Sequence, residues 1–264
     1  MPAWTLPLLF GALSGALGGL MGVGGGIILV PLLVHALRRP QHEAHGTSLS
    51  FIVVTSLVAG YSYLRAERLD LALAGLLALG SVAGVLLGTR LARGMTAPRL
   101  RRAFGIIVLA VAIRILAIPP HPVPGGALWA APLEIALGAG VGVLAGLLGV
   151  GGGTILVPVL VLLQHVDQHT AQGVSLLVIV PTAAVGAWRY ARHGHVAPRL
   201  LPPLMTGGAA GALLGAALAH AIHAPVLSRL FALFLLPVAV RMMWSRSGGS
   251  ATVPQSPGTP EVDP

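Results

Sequence analysis

One ten-residue string occurs twice in this chain. Residues 22–31 read GVGGGIILVP and residues 149–158 read GVGGGTILVP, an offset of 127 residues. At that offset 11–117 aligns with 138–244 without a gap, and about 48 of the 107 aligned positions are identical. Gln41, His42, Ala44, Gly46 and Ser48 recur as Gln168, His169, Ala171, Gly173 and Ser175. A long internal repeat constrains the fold before any helix is assigned, because each unit must build similar structure twice. The organisation expected is a first repeat at 1–117, a Pro/Gly linker at 118–132, a second repeat at 133–244 and a disordered Ser/Pro/Gly-rich tail at 245–264.

Composition decides the solvent. Hydrophobic residues make up 55% of the 264 positions and charged residues only 9%, against about 25% charged in soluble domains. The mean hydropathy is +0.88. Too few polar side chains are present to cover a globule in water, so the class expected is an all-α polytopic membrane protein. Cysteine is absent, which removes disulfides, thiolate metal sites and a cysteine nucleophile. The net charge is +9, and every basic residue is Arg. These arginines flank apolar runs, as cytoplasmic loops place them, so nucleic acid is not expected as a partner. Met1 to Trp4 carries no basic residue, and no cleaved signal peptide is read there.

Each unit holds four apolar segments. Three suit a single span of about 20 residues. The first, about 5–37 and 133–164, is longer and is interrupted by Gly22, Gly24, Gly25, Gly26 and Pro31, or by Gly149, Gly151, Gly152, Gly153 and Pro158. Four glycines in five residues cost about 1 kcal/mol each relative to Ala in a helix. The arginines choose between a broken span and a re-entrant pair. If the segment crosses once, the two sides hold eight and seven arginines, which is no bias. If it turns back, each unit crosses three times and the second copy is inverted. With both termini inside, the inner side then holds Arg38, Arg39, Arg90, Arg93, Arg99, Arg101, Arg102, Arg189, Arg192, Arg199, Arg241 and Arg246. The outer side holds Arg65, Arg68 and Arg229, with Arg114, near a span end, counted on neither side. That asymmetry is the positive-inside pattern. The expected architecture is therefore two inverted repeats, each a glycine-broken re-entrant helix pair plus three transmembrane helices. Paired glycine-interrupted segments point to the central site of a transporter.

The pattern G-x-x-[GA]-x-x-x-G-x-G-G-G-x-[IL]-[LV]-V-P spans Gly15 to Pro31 and Gly142 to Pro158, with Ala145 in the second copy where the first has Gly18. It is followed by A-x-G-[TV]-S-L at Ala44–Leu49 and Ala171–Leu176, and by Gly80/Gly84/Gly88 and Gly207/Gly211/Gly215. In these residues the chain resembles the TauE/SafE family of membrane transporters, the sulfite exporter-like proteins. The resemblance implies a carrier of small anions, sulfur-containing ones foremost (sulfite, a sulfonate or a relative), acting as an exporter in the cytoplasmic membrane. It does not choose among sulfite, sulfonate, thiosulfate or a carboxylate.

Residue chemistry adds a candidate site. The residues after each glycine turn open a half-helix whose first N–H groups lack intrahelical partners and sit at the positive dipole end. Gly24, Gly25 and Gly26, with Gly151, Gly152, Gly153 and Thr154, are expected to bring such ends to one oxyanion. Thr47, Ser48 and Ser175 begin the next spans, where the serines are expected to cap the helix and offer hydroxyls. The same small residues equally serve close helix packing, and packing is the expected role of the third-segment glycines. His42/His45, His165/His169 and His193/His195 have spacings a metal can use, but no carboxylate joins them, and neither metal nor cofactor is expected. A P-loop is excluded because no Lys-Ser/Thr follows the glycines. Glu134 stands at an apolar segment's start and is expected to be a solvated helix start. No nucleophile–base set lies in the spans, so no enzyme is expected. The other reading open to such a chain is a membrane anchor or assembly subunit that moves nothing.

Overall fold

The computed structural model describes residues 4–67, 69–91, 97–118, 130–148 and 152–244. The tail, most of the linker and Gly151 lie outside the described residues. The described residues form α-helices joined by short turns and contain no strand. In chain order the helices are α1 (Thr5–Met21), α2 (Gly26–His35), α3 (Gln41–Ala66), α4 (Leu71–Leu91), α5 (Ala97–Ala117), α6 (Ala131–Leu148), α7 (Gly153–Leu163), α8 (Gln168–Arg192), α9 (Leu201–Ala221) and α10 (Ala224–Trp244). Five of them, within α3, α4, α8, α9 and α10, are long and apolar enough to cross a membrane. At 1.5 Å per residue the 10 and 11 residues of α2 and α7 reach only about half of a 30 Å hydrocarbon core. Leu79, Leu214, Leu218, Ile107 and Leu87 are more than half exposed. Apolar side chains at that density suit lipid and would be a liability in water. This is a multi-pass membrane protein.

Helix pairing exchanges elements between the copies. α1 packs on α9, and α4 packs on α6. The first pair is a small-residue seam. Gly11 abuts the Leu204 carbonyl, Gly15 that of Gly208 and Gly19 that of Ala212. Both sequences advance in steps of four, so α1 and α9 run parallel. Any side chain at these glycines would strike backbone, which is the reason for the small-xxx-small pattern. α4 and α6 repeat the arrangement, with Gly84 on Ala139 and Gly88 on Val143.

The other pairs join equivalent helices. α3 packs on α8, and α5 packs on α10. Gly46 meets Tyr190 and His195, Gly186 meets Leu49, Gly60 meets Leu176, and Gly173 meets Tyr63. The numbers rise on one helix as they fall on the other, so α3 and α8 are antiparallel. Gly105 of α5 meets Ala239 and Met243 of α10.

Both broken segments are hairpins. Gly22, Gly24 and Gly25 have φ of 70°, 73° and 84°, a left-handed backbone that glycine alone adopts freely. They fold the chain back so that Gly25 lies on the Ser14 carbonyl. Gly24 then pairs with Thr55, and Gly26 lies against Ile52 and Ser48, so α2 descends along α3. In the second copy the hairpin base is closed by a buried bond. Gln164 Nε2 donates to Glu134 Oε2 at 2.6 Å, joining the end of α7 to the first turn of α6. Glu134 is only 4% exposed. The expectation of a solvated helix start is corrected: the carboxylate faces Gln164, thirty residues on, across the hairpin.

Helix starts also correct the sequence reading. α3 begins at Gln41 and α8 at Gln168, each seven residues before its serine. Ser48 and Ser175 are therefore interior residues and cap nothing. Asp167 is the N-cap of α8, accepting from the amides of His169 and Thr170, while Pro40 precedes α3 without a side-chain cap. The polar Q-H opening of each helix hid its start, since the apolar run begins only a turn or two later.

Candidate substrate site

The two hairpin tips meet between α3 and α8. Gly153 lies against the Gly22 carbonyl and Val23, and Ser175 Oγ donates to the Gly22 carbonyl at 3.0 Å. Gly22 also lies against Gln172 of α8. Of the residues expected from sequence, Gly24, Gly25, Gly26, Ser48, Gly152, Gly153, Thr154 and Ser175 gather about these tips or the half-helices they open. Thr47 does not join them. Its Oγ1 accepts from the Ala197 amide in the turn before α9, at 2.9 Å. Gly151 lies outside the described residues.

α2 and α7 both open at these tips. Ile28 and Leu29 already bond back to the Gly25 carbonyl, as Ile155 and Leu156 do to Gly152. The amides ahead of them are the ones that have no intrahelical acceptor, and they lie at the positive helix ends.

The first tip is densely packed. Phe51 is fully buried and its ring fills the space over Gly208 and Gly25. Thr55 donates to the Gly24 carbonyl at 2.9 Å. The hydroxyls of Ser14, Ser48 and Ser56 are buried and find no hydrogen-bond partner, a state that costs about 1–3 kcal/mol per group. Ser48 and Ser56 lie beside Gly26 and Gly24. Beyond this turn, Tyr63 bridges the copies: its hydroxyl lies 2.8 Å from Gln172 Oε1 and 3.2 Å from the Gly19 carbonyl.

The second tip borders a cavity. It is about 70 Å³ and lies between α3, α4, α6, α7 and α8, room for about five waters at roughly 10–15 Å³ each. Gly152, Ser81 and Thr182 line it, with Val178 and Val141 among its apolar walls and His45 and Tyr190 at its margin. The Ser81 and Thr182 hydroxyls are 3.1 Å apart, and Thr182 also reaches the Val178 carbonyl at 2.8 Å. Neither Ser81 nor Thr182 is among the residues expected from sequence. The signal available was sparse: Thr55 and Thr182 occupy one repeat position, as do Tyr63 and Tyr190.

Among the described residues no group of three or more His, Asp or Glu side chains is placed to hold a metal ion. His193 and His195 stack with ring centroids 6.4 Å apart, and His195 lies 5.6 Å from His42. These rings gather where the start of α3 meets the end of α8.

Comparison with known proteins now decides the lineage. The family model described as Sulfite exporter TauE/SafE matches residues 133–262, the second copy and the tail. A probable membrane transporter protein of Haemophilus influenzae is 30% identical over 278 residues, covering 90% of this chain and 97% of the relative. The chain belongs to the TauE/SafE family. Another relative, the probable membrane transporter protein YunE of Bacillus subtilis, is 24% identical over 267 residues, covering 92% of this chain and 98% of its own. A probable membrane transporter protein of Xylella fastidiosa is 28% identical over 245 residues, covering 89% and 92%. No solved structure matches the chain. The family model meets only the second copy, and the internal repeat carries the resemblance into the first. Membership makes this protein a membrane transporter of the TauE/SafE family.

Proposed function

We propose that the chain exports small anions, sulfur-containing ones among them, across the cytoplasmic membrane as two inverted repeats with both termini inside. The observation that carries this reading is the meeting of two glycine hairpin tips between the antiparallel helices α3 and α8. Irregular backbone at membrane depth is tolerated where it is buried in protein or lines a pathway, and paired half-helix N-termini favour an anion there. Gly24–Gly26 and Gly152–Gly153 open the half-helices, Thr154 follows in α7, and Ser48 and Ser175 stand beside them; Gly151 is proposed with them from the sequence alone. Thr47 supports the site only through the Ala197 turn. The units 1–117 and 133–244 rock about the joined tips. A potential of −100 mV, negative inside, drives one negative charge outward by about 2.3 kcal/mol, so export needs no coupling ion.

The test is flux in proteoliposomes. Anion movement should follow an imposed potassium-diffusion potential with no pH gradient present. A flux that ignores voltage and requires a proton gradient defeats the export account. Orientation is tested in the same cysteine-free chain: Arg101→Cys should resist impermeant thiol reagents added outside intact cells. Labelling from outside defeats the inverted arrangement.

A further inference from the structure

The cavity beside Gly152 has a counterpart volume at the first tip, and the 127-residue offset says what became of it. Val178 corresponds to Phe51, and Ser81 corresponds to Gly208. At the first tip the Phe51 ring occupies the volume, and only a glycine at 208, from the second copy, leaves room for that ring. At the second tip Val178 leaves the volume open and Ser81, from the first copy, lines it. The two exchanges are matched, large against small across one helix contact, so the difference is written into the side chains and does not depend on how the units rock.

The chemistry of the open side is specific. No Arg and no acidic residue lines the cavity, and its walls are mainly aliphatic. The polar groups are the Ser81–Thr182 hydroxyl pair, the α7 terminus at Gly152, and His45 and Tyr190 at the margin. Hydroxyls and a helix terminus are neutral donors. They can stabilise one negative charge, but the desolvation cost of an ion rises with the square of its charge, and no fixed cation lines the cavity to offset a second. The aliphatic walls favour an apolar body behind the charged head.

We infer that this cavity receives the substrate at the joined tips, that it is open at the second tip alone, with α3 and α4 of the first copy supplying part of its wall, and that it takes a short, singly charged organic anion in preference to a compact inorganic dianion. The anionic head faces Gly152, Ser81 and Thr182, and the chain lies along Val141 and Val178. This inference rests on the carrier reading above and narrows it.

The experiment compares butyrate, propane-1-sulfonate and sulfate fluxes through the full chain in proteoliposomes. Wild-type protein should move the two organic monoanions at least about tenfold faster than sulfate, a difference of about 1.4 kcal/mol. Ser81→Gly combined with Val178→Phe reproduces the packing of the first tip, so it should reach the membrane, melt no lower than wild type and lose at least about nine-tenths of the flux. Leu87→Phe, a comparable enlargement on the outer face of α4, should change little. If the double variant does not fold, Val178→Leu replaces it and should slow butyrate more than acetate. A folded double variant with wild-type flux, or equal slowing of butyrate and acetate by Val178→Leu, overturns the site assignment and leaves the carrier reading standing. Sulfate moving as fast as the organic anions overturns the substrate class. Absence of flux for every anion overturns the carrier reading itself and this inference with it.

Discussion

The two hairpins descend from one sequence, yet they close differently. The first is held at its tip. Gly24 and Gly25 take left-handed backbone, Gly25 rests on the Ser14 carbonyl, and Phe51 fills the space above. The second is held at its base by Gln164 and Glu134, and at Gly152 the backbone is right-handed, with φ −71°. A Cβ there would meet Val141 at 3.4 Å and Ala145 at 3.7 Å, ordinary contact distances. Among the described residues, the contact that holds Gly25 has no counterpart at Gly152, and the bond at the base of the second hairpin has none in the first. Gly152 is the tip residue that borders the cavity.

The largest effect should come from adding one methyl to each tip. Gly25→Ala must accept both a disfavoured φ and a collision with the Ser14 carbonyl, costing about 3 kcal/mol. Gly152→Ala should cost less than about 0.5 kcal/mol. Thermal melting of the detergent-solubilised protein measures both. Equal losses would mean that the tips are equally tight. Enlarging either position to Leu should stop flux, since each tip then blocks the half-helix end.

Glu134→Ala should follow, at about 1–3 kcal/mol, because it strands a buried Gln164 amide. Glu134→Gln keeps a partner for that amide and should cost less than the alanine change, with voltage-driven flux largely intact. The equivalent residues of the first copy, Pro7 and Leu37, form no such bond. A Glu134→Gln protein uncoupled from a proton gradient would recast the base as part of the mechanism.

Tyr63→Phe removes the hydroxyl shared with Gln172 and Gly19, a loss of about 1 kcal/mol. Its counterpart Tyr190 borders the cavity, so Tyr190→Phe should cost less stability. The smallest effect belongs to Arg39→Ala. The Arg39–Glu43 pair is 3.5 Å apart, and its arginine is substantially exposed, so melting should shift by less than about 0.5 kcal/mol. The equivalent pair is absent from the second copy, where Val166 and Thr170 stand.

The glycine seams were legible because a small residue every fourth position has one steric meaning on a helix. Gly80/Gly84/Gly88 and Gly207/Gly211/Gly215 carry it directly. Glu134 was misread because its partner lies thirty positions away and only the reversal of α6–α7 brings Gln164 to it. Ser48 was misread because hydropathy marks where a helix turns apolar, not where its hydrogen bonds begin. Asp167, by contrast, had a readable cap position, and the matching Pro40 concealed it.

The sequence by itself determined the duplication, the membrane solvent, the broken first segments and the seams, since each follows from local spacing or composition. Tertiary structure alone decided which tip is packed and which borders a cavity. Phe51 against Gly208, and Val178 against Ser81, are visible in the alignment as unrelated differences. They become one exchange of volume only when α3 meets α9 and α8 meets α4, because packing is fixed by which side chains share a space, and chain separation does not encode that.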